Sequence, residues 1–378
     1  MLIVIVGGKL QGVEAVYLAQ KAGWETLVID KNPDTPATGL CDHFLQFEFS
    51  PESTVPPVSL NVNFILPAVE DIDALSAITR WSQLKNIPLA FDLDAYMISS
   101  SKLKSNALFK KMKLSVPESW PGCSFPVVVK PDEASGSQGV EVINDHEALF
   151  FKFPIRQRLD NIVIQEFIDG PSYSIEVVGR PGNYKALQIT DLSMDMSYDC
   201  KQVKAPTRLS PYLKSRLEEM AVCIAQKINL TGIMDLEVIL NKEELKILEI
   251  DARFPSQTPM AVFWSTRINM VEILGNLVLK KENHEIVQKY EQYVIIEHIR
   301  FTDYKLEVCG EHIMALNGPL TLKFNFFGAN EAITNYKPGK KQWMATLIIN
   351  GNSQDDVDSR RQNCHEQIIK HSNNFFKE

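Results

Sequence analysis

Residues 245–259 have the sequence LKILEIDARFPSQTP, and this stretch decides the fold because it places two acids and an arginine on one strand. LKILEI has the apolar composition of a β-strand, and side chains two residues apart on a strand point to the same face. We therefore expect Glu249, Asp251 and Arg253 to project together from a buried strand. Two carboxylates and a guanidinium on one wall suit a metal ion and a phosphate group.

A third carboxylate, Glu237, lies in MDLEVIL (234–240), which is predicted to form a hairpin with LKILEID through NKEE. If the strands pair in register, Glu237 converges with Glu249 and Asp251. Three oxygen ligands without His or Cys favour Mg²⁺ or Mn²⁺, with phosphate oxygens in the remaining positions. A structural salt bridge with Arg253 is the alternative, but buried like charges repel each other unless a cation compensates them.

Lys130 ends an apolar strand, and a hairpin tip of small residues follows it directly. The stretch is FPVVVKPDEASGSQGV, residues 125–140, and its tip contains Ser135 and Ser137. Small residues let backbone N–H groups approach phosphate oxygens, and glycines allow the hairpin to close as a lid. An ordinary turn is the alternative interpretation.

A short connection between two further strands offers groups for an adenine ring. In QEFIDGPSYSIEV, residues 165–177, Glu166, Phe167 and Ile168 can present an acid, backbone groups and apolar side chains. Glu176, on the second strand, can bind an amino group or form a structural salt bridge.

The first 30 residues have the pattern strand, glycine turn, helix and strand, which predicts a parallel sheet. The turn GGKLQG (7–12) lies where a dinucleotide fingerprint would lie, but Lys9 occupies its middle glycine position and would crowd a pyrophosphate. An NAD-dependent dehydrogenase is therefore disfavoured. The loop still offers helix N-terminal amides to an anion, so Lys9, Asp30 and Lys31 form a hypothetical second nucleotide site.

Composition excludes some classes of function and favours a compartment. The chain has 378 residues and a net charge of -8, which argues against a nucleic-acid or acidic-membrane binder. Six cysteines without a C-x-x-C pair favour reduced thiols in the cytoplasm. The N-terminal apolar run is too short for a membrane span and lacks a signal-peptide pattern.

The ordered set of these features resembles the ATP-grasp superfamily. The order is a βαβ domain, a helix lysine (Lys104), the strand lysine (Lys130), the lid, the E-F-I hinge and E-x-D-x-R at 249–253. GGKLQG, VIDKNP, SYDC, GIMDLE and EIDARFPSQTP are similar, more closely, to the pyrrolysine-pathway ligases that join 3-methylornithine to L-lysine. This closer resemblance runs over nearly the whole chain.

The resemblance implies an α/β and α+β architecture: an N-terminal doubly wound parallel sheet domain, and two lobes with antiparallel sheets that clamp ATP. The expected division is a Rossmann-like domain (1–92), a linker helix (93–113), a central lid domain (114–190) and a C-terminal domain with the metal site (191–378). We expect the polar tail after residue 351 to be helical only around 359–370.

The implied reaction is the ATP-dependent, ADP-forming joining of (3R)-3-methyl-D-ornithine to the ε-amine of L-lysine through an acylphosphate. Arg253 is the expected catalytic residue. The carboxylates expected to bind two Mg²⁺ ions, or Mn²⁺ as an alternative, are Glu237, Glu249 and Asp251. The expected nucleotide-binding residues are Lys104, Lys130, Ser135, Ser137, Glu166, Phe167, Ile168, Asp169 and Ser172. The expected substrate-binding residues are Gln11, Gly12, Glu70, Asp71, Glu176, Ser256 and Gln257, with Glu70 and Asp71 after the third strand.

Two positions depart from the usual superfamily pattern. Ser172 stands where many members carry a ribose-binding glutamate, so Asp169, Ser172 or backbone must make that contact. Asp251 replaces the usual asparagine and adds a negative charge to the metal site.

Two other functions remain open from the sequence. One is a purine-pathway carboxylase resembling N5-carboxyaminoimidazole ribonucleotide synthase, and the other is a non-catalytic nucleotide-binding protein. The expected partners are small amino acids, with neither nucleic acid nor membrane, and the apolar strands after residue 290 could supply the face of a homodimer.

Overall fold

The N-terminal sheet has four parallel strands. The computed structural model describes residues 1–134, 136–153, 161–281, 292–303 and 305–375. The strands are β1 Leu2–Val6, β2 Glu25–Asp30, β3 His43–Gln46 and β4 Phe64–Pro67, and they lie in the order β3-β2-β1-β4. Helix α1 (Leu10–Lys21) follows β1, and α2 (Ile72–Lys85) follows β4. A Cβ atom on Gly12 would lie 2.1 Å from the Gly7 carbonyl oxygen, so only glycine fits where α1 leaves β1.

Two helices connect this sheet to the rest of the molecule. They are α3 (Leu93–Ser99) and α4 (Lys102–Lys111), where one helical linker was expected. The chain breaks between them because Ser101 is the N-cap of α4, its hydroxyl accepting the Lys104 N–H. Ser101 also donates to Asp132, whose carboxylate accepts the Leu103 N–H at 2.8 Å. The start of α4 is therefore fixed to the end of the next strand along the chain.

A small antiparallel sheet carries the predicted lid. Its strands are β5 Val127–Pro131, β6 Glu141–Ile143 and β7 Ile162–Glu166, in the order β6-β5-β7. Helix α5 (His146–Lys152) lies between β6 and β7 along the chain. Three valines of β5 are buried, whereas Lys130 at its end is directed toward a cavity.

A large antiparallel sheet forms most of the C-terminal half. Its strands are β8 Ser172–Arg180, β9 Asn183–Ala186, β10 Thr190–Met194, β11 Cys200–Ala205, β12 Gly232–Asn241, β13 Glu244–Asp251, β14 Tyr293–Thr302, β15 Lys305–Val308, β16 Thr321–Phe326, β17 Ala329–Thr334 and β18 Gln342–Gly351. The main path is β13-β12-β8-β10-β11-β14-β18-β17-β16, with β9 beside β8 and β15 beside β14. The helices are α6 Pro211–Lys227, α7 Thr258–Thr266, α8 Met270–Val278, α9 His312–Ala315 and α10 Gln354–Phe375. Among the described residues, no helix is both long and apolar enough to cross a membrane.

The predicted β12–β13 hairpin is present, and its register sets the site. Glu237 lies opposite Glu249, and Asp235 lies opposite Asp251. A β-bulge at Leu248 interrupts the ladder, and Leu248 and Glu249 both face the same cavity as a result.

The predicted fold class is confirmed, with one parallel and two antiparallel sheets. The division at residues 92, 113 and 190 stays a prediction, although β8 (172–180) already pairs with β12 in the large sheet. Two local expectations were wrong. β3 makes the strand before Glu70 the fourth rather than the third, and the C-terminal helix runs from Gln354 to Phe375 rather than only around 359–370. Hydrophobic periodicity underestimates the length of a polar, mostly exposed helix, because a narrow apolar stripe is its only periodic signal.

Candidate active site

A cavity of about 300 Å³ lies between the small sheet, the lid and the β12–β13 hairpin. Most of the predicted nucleotide-binding and metal-binding residues line it: Lys130, Ser137, Glu166, Phe167, Ile168, Asp169, Ser172, Glu237 and Glu249. Ser135 lies outside the described residues. The cavity is therefore lined by segments that are more than a hundred residues apart in sequence, as expected of a nucleotide site between two lobes.

Lys102 reaches the cavity, and Lys104 does not. The Lys102 ammonium donates to the Ala134 carbonyl oxygen at 2.5 Å and lies 3.5 Å from a Glu249 carboxylate oxygen. The Lys104 ammonium donates to the Met97 carbonyl oxygen, and its side chain is exposed. Two residues along a helix are about 200° apart, so both lysines cannot face the same side. Lys102 therefore accompanies Lys130 at the cavity, and the nucleotide contact of Lys104 stays a prediction.

The hinge glutamate is held by a lysine that the sequence analysis missed. Glu166 accepts the Glu118 N–H at 2.9 Å and also bonds the Lys246 ammonium. Partial burial opposes ionisation of Glu166, but Lys246 and the Glu118 N–H hold its pKa below the usual value. Glu166 therefore stays an ionised acceptor at the mouth of the cavity.

The lid tip contacts the turn between β10 and β11. The Ser137 hydroxyl donates to the Tyr198 carbonyl oxygen at 2.7 Å, and the Tyr198 ring packs edge-on against Phe167 at 6.5 Å. Gly136 has φ +57°, and a Cβ atom on it would lie 2.7 Å from the His312 ring. The lid is therefore closed over the cavity, with glycine required at the point of closest approach.

Six polar residues form two rows across β8, β12 and β13 on one face of the large sheet. The nucleotide row consists of Ser174, Glu237 and Glu249, and the substrate row consists of Glu176, Asp235 and Asp251. The opposite face of the same strands packs into an apolar core. Register pairing thus concentrates five carboxylates on one face.

The nucleotide row contains the carboxylates that can hold a cation. Burial, and then the adjacent Glu249, raise the pKa of Glu237 to about 8. Burial lowers the pKa of Lys130, which faces the same cavity. Among the described residues, no group of three or more His, Cys, Asp or Glu side chains has the geometry of a metal site. Mg²⁺ commonly takes one or two carboxylates and fills its other positions with phosphate oxygens, so Glu237 and Glu249 fit it.

Arg253 lies beside the substrate row and pairs with Asp251. Asp251 is not among the described residues that line the cavity, and its role as a metal ligand stays a prediction. An Arg253 Nη atom donates to Asp251 at 2.9 Å, and Nε lies 2.8 Å from Glu70. Gln11 donates to the same Glu70 oxygen at 2.7 Å. Although burial opposes its charge, Asp251 and Glu70 raise the pKa of Arg253 above its usual value. Burial raises the pKa of Asp251 to about 7 despite the arginine.

The turn between β13 and α7 brings further acids to this region. Ser256 donates to Glu311 at 3.2 Å, and Thr258 donates to Glu176. Gln257, with φ +74°, lies between them, and its N–H donates to Glu14 at 3.2 Å. The predicted residues Glu176, Ser256 and Gln257 are therefore brought together beyond Arg253.

Comparison with known proteins agrees with this geometry. An ATP-grasp domain family matches residues 99–257. A protein of Methanosarcina mazei named 3-methyl-D-ornithine–L-lysine ligase is 34% identical over 317 residues, 83% of this chain and 82% of that protein. Its namesake in Methanosarcina acetivorans is 33% identical over 83% of this chain and 84% of that protein. This chain belongs to the 3-methyl-D-ornithine–L-lysine ligase family.

Solved structures share the fold of this ligase family member at lower identity. An L-amino acid ligase from Bacillus licheniformis has a TM-score of 0.71 and 16% identity over 97% of each chain. An N5-carboxyaminoimidazole ribonucleotide synthetase from Thermus thermophilus has a TM-score of 0.70 and 15% identity, covering 97% of this chain and 98% of that chain. These similarities establish the ATP-grasp fold. They carry no information on substrates, because the sequence identity is too low.

In this ligase family member, several predicted residues make contacts within the chain. Asp71 is the N-cap of α2, accepting the Ala74 N–H at 2.8 Å. Asp30 accepts the N–H groups of Gly8 and Asn32, and Lys31 pairs with an exposed glutamate, Glu48, at 3.0 Å. Lys9 is exposed, and the second nucleotide site stays a prediction.

The residues that the sequence analysis missed share one property, which is that distant segments position them. They are Glu14, Lys102, Tyr198, Asp235, Lys246 and Glu311. Tyr198 lies in SYDC, a segment that carried the resemblance, and Asp235 has the same strand alternation as Glu237. Those two signals were present in the sequence, whereas Glu14 and Glu311 offered none.

Proposed function

We propose that this protein joins the carboxylate of (3R)-3-methyl-D-ornithine to the ε-amine of L-lysine in an ATP-dependent, ADP-forming reaction. One observation carries the proposal: Lys130, Glu237 and Glu249 line a lidded cavity, and Arg253 follows on the adjoining strand face. The family relationship supplies the two amino acids, since the relatives named for them match over 83% of this chain.

ATP occupies the cavity in this proposal. The adenine ring lies against Phe167 and Ile168, while Asp169 and Ser172 are the candidates for the ribose contact. Lys102 and Lys130 hold the phosphates. The lid closes through Ser137 and Tyr198 and excludes water from the reacting groups.

The chemistry proceeds in two displacements. The ornithine carboxylate oxygen attacks the γ-phosphorus, the bond to ADP breaks, and an acylphosphate forms. The neutral lysine amine then attacks the acyl carbon, phosphate leaves, and the nitrogen loses one proton to give the amide. Arg253 stabilises the transferring phosphoryl group and the oxyanion of the second step, a role worth on the order of 3–4 kcal/mol for one such donor.

Magnesium completes the phosphate site. Glu237 and Glu249 would hold it, and the proposal includes two ions, which Mn²⁺ can replace. Mg²⁺ bound there would supply positive charge to offset the charge that develops during phosphoryl transfer. Without the ion, burial and then the charge of Glu249 raise the pKa of Glu237, so a cation at this position would favour its ionised form.

The lysine amine must lose its charge before it attacks, because a free lysine titrates near ~10.4. Glu70 is the candidate partner for this substrate, since it lies 2.8 Å from Arg253 and accepts from Gln11. An acid at that position can orient the ammonium group and accept its proton.

The cellular setting is also part of the proposal. The six cysteines are free thiols, as a reducing compartment such as the cytoplasm allows. A homodimer would form through the large sheet, where β16 (321–326) ends the main path and exposes Phe324.

ADP release with product mass spectrometry tests the reaction. Mg-ATP, L-lysine and D-ornithine are supplied together and then omitted in turn. ADP release that needs both amino acids, with a product at their summed mass minus water, is the expected result. ADP release that needs aminoimidazole ribonucleotide and bicarbonate instead would replace the ligase with the carboxylase alternative. No ADP release under either condition would favour a non-catalytic nucleotide-binding protein.

A further inference from the structure

The carboxylate of Asp132 joins the end of β5 to the start of α4. Its Oδ1 atom accepts the Leu103 N–H at 2.8 Å, and the Ser101 hydroxyl lies 3.0 Å from both of its oxygens. The backbone of Asp132 is bound as well, because its carbonyl oxygen accepts the Lys102 N–H at 3.3 Å and its N–H donates to the Asn161 carbonyl oxygen. Asp132 is buried, and these contacts leave it little freedom to move.

The first three amides of α4 all have partners, and Asp132 supplies two of them. The Lys102 and Leu103 N–H groups bind Asp132, whereas the Lys104 N–H donates to the Ser101 hydroxyl oxygen at 3.2 Å. A single N-cap side chain is enough to begin many helices. The additional contacts from Asp132 therefore fix where α4 lies relative to β5, beyond ending the helix.

The charge of Asp132 also suits the start of α4. The first turn of this helix contains Lys102 and Lys104 and no acidic residue. Positive side chains at a helix N-terminus oppose the helix dipole, which favours negative charge there. A carboxylate from the neighbouring strand offsets this conflict. The chain thus keeps a lysine at a position that helix stability alone would disfavour.

Asp132 binds together the two backbone segments that carry the cavity lysines. Lys130 precedes it by two residues, and Lys102 directly follows Ser101. Both lysines line the cavity. Burial lowers the pKa of Lys130, Glu249 opposes that shift, and the positive charge of Lys102 adds to it. Two ammonium groups that repel each other need a backbone held in place to stay close together.

We propose that Asp132 is a positioning residue that holds Lys102 beside Lys130, so that both ammonium groups meet the phosphates of the bound nucleotide. Asp132 is not among the described residues that line the cavity, and its carboxylate is occupied by Ser101 and Leu103. The inference rests on the proposed function, in which ATP occupies the cavity. It adds the residue that organises the phosphate site before the nucleotide binds.

Nucleotide binding and a double-mutant cycle test the proposal. The variants are Asp132→Ala, Asp132→Asn, Lys102→Met and the combination of Asp132→Asn with Lys102→Met. Asp145→Asn is the matched control, because Asp145 caps α5 by accepting the Ala148 N–H at 2.8 Å and is not among the described residues that line the cavity. Calorimetry measures the dissociation constant of Mg-ATP without amino acids. ADP release with both amino acids saturating measures the KM for ATP.

Asp132→Asn should weaken Mg-ATP binding about tenfold, the size typical of one lost hydrogen bond to a charged group. Asp132→Ala should weaken it further, because asparagine keeps an oxygen for the Leu103 N–H and alanine does not. Asp145→Asn should stay within about twofold of the wild type. In the Lys102→Met background, Asp132→Asn should cost no more than about threefold, since the side chain that Asp132 positions is already gone. The KM for ATP should follow the same order.

Two results would overturn the inference. One is an unchanged dissociation constant for Mg-ATP in the Asp132 variants. The other is the same fold loss from Asp132→Asn with and without Lys102, because a helix cap that serves stability alone acts independently of the lysine charge. Circular dichroism melting checks that each variant folds, and Asp132→Asn decides the matter if Asp132→Ala does not fold.

The same titrations separate this inference from the proposed reaction. A wild type that binds Mg-ATP and shows the Asp132 effect but makes no product would refute the reaction and leave the inference supported. Product formation by the wild type, with unchanged Mg-ATP binding in the Asp132 variants, would support the reaction and refute the inference. A wild type that does not bind Mg-ATP would refute both.

Discussion

Separate substitutions of Lys102 and Lys104 test which lysine serves the nucleotide. Lys102 bonds the Ala134 carbonyl oxygen beneath the lid and lies 3.5 Å from Glu249, whereas Lys104 bonds the Met97 carbonyl oxygen away from the cavity. Methionine at either position keeps the length of the stem and the helix propensity and removes only the charge.

The expected size of the effect follows from the environment of Lys102. Its side chain is 15% exposed, so solvent screens its interactions only partly. A hydrogen bond to a charged group contributes about 1.5–3 kcal/mol, which corresponds to roughly 10- to 150-fold in kcat/KM for ATP. Loss of the exposed Lys104 charge should cost at most about 0.5 kcal/mol, or roughly twofold.

The assay is initial-rate ADP release against ATP concentration for Lys102→Met, Lys104→Met and the wild type, with both amino acids saturating. Circular dichroism melting of each variant controls for stability. Equal losses in the two variants would refute the geometric argument, and a larger loss in Lys104→Met would return the phosphate contact to that residue.

Three further outcomes follow from the same geometry. Arg253→Lys should lower kcat about 10²- to 10³-fold with little change in KM for ATP, because lysine lacks the planar fork of the guanidinium; single-turnover product formation measures this. Gly136→Ala should lower kcat several-fold, since the added Cβ would lie 2.7 Å from the His312 ring in the closed lid and alanine disfavours φ +57°; initial-rate ADP release measures this. For the ligand-free protein, burial raises the pKa of Glu176 and Glu311 from 4.5 to about 7, so the folded state binds more protons across that window. Stability should therefore fall as pH rises from about 4.5 to 7, and replacing both residues by glutamine should flatten a plot of melting temperature against pH.

The β-hairpin wall could be predicted because strand geometry leaves little freedom. Alternation along LKILEIDAR puts Glu249, Asp251 and Arg253 on one face whatever the rest of the fold does. The structure agrees, with Ile250 and Ala252 buried on the other face. Strand alternation could not show that Asp251 would pair with Arg253, because that pairing depends on which side chains reach the cavity.

The lysine of the linker helix could not be assigned because helical facing depends on where the helix begins. Ser101 and Asp132 set that start, and a shift of two residues turns the side chain to the other side of α4. The same limit applies to Asp71, since an acid after a strand serves equally well as a ligand or as the N-cap of the next helix. Glu14 and Glu311 could not be assigned from sequence, because they lie far apart along the chain and the folded turn at 256–258 contacts both of them.

The two rows of the large sheet explain how one face can hold so many acids. Lys102 and Lys130 face the two carboxylates of the nucleotide row, whereas the three carboxylates of the substrate row share Arg253. A slip of one residue in any of the three strands would turn that strand's carboxylates toward the apolar core, so the fold specifies this register strongly. The uncompensated charge costs stability in the empty protein. Binding of a positively charged group beside the substrate row would recover part of that stability, so the charge that the fold leaves unmatched would favour such a ligand.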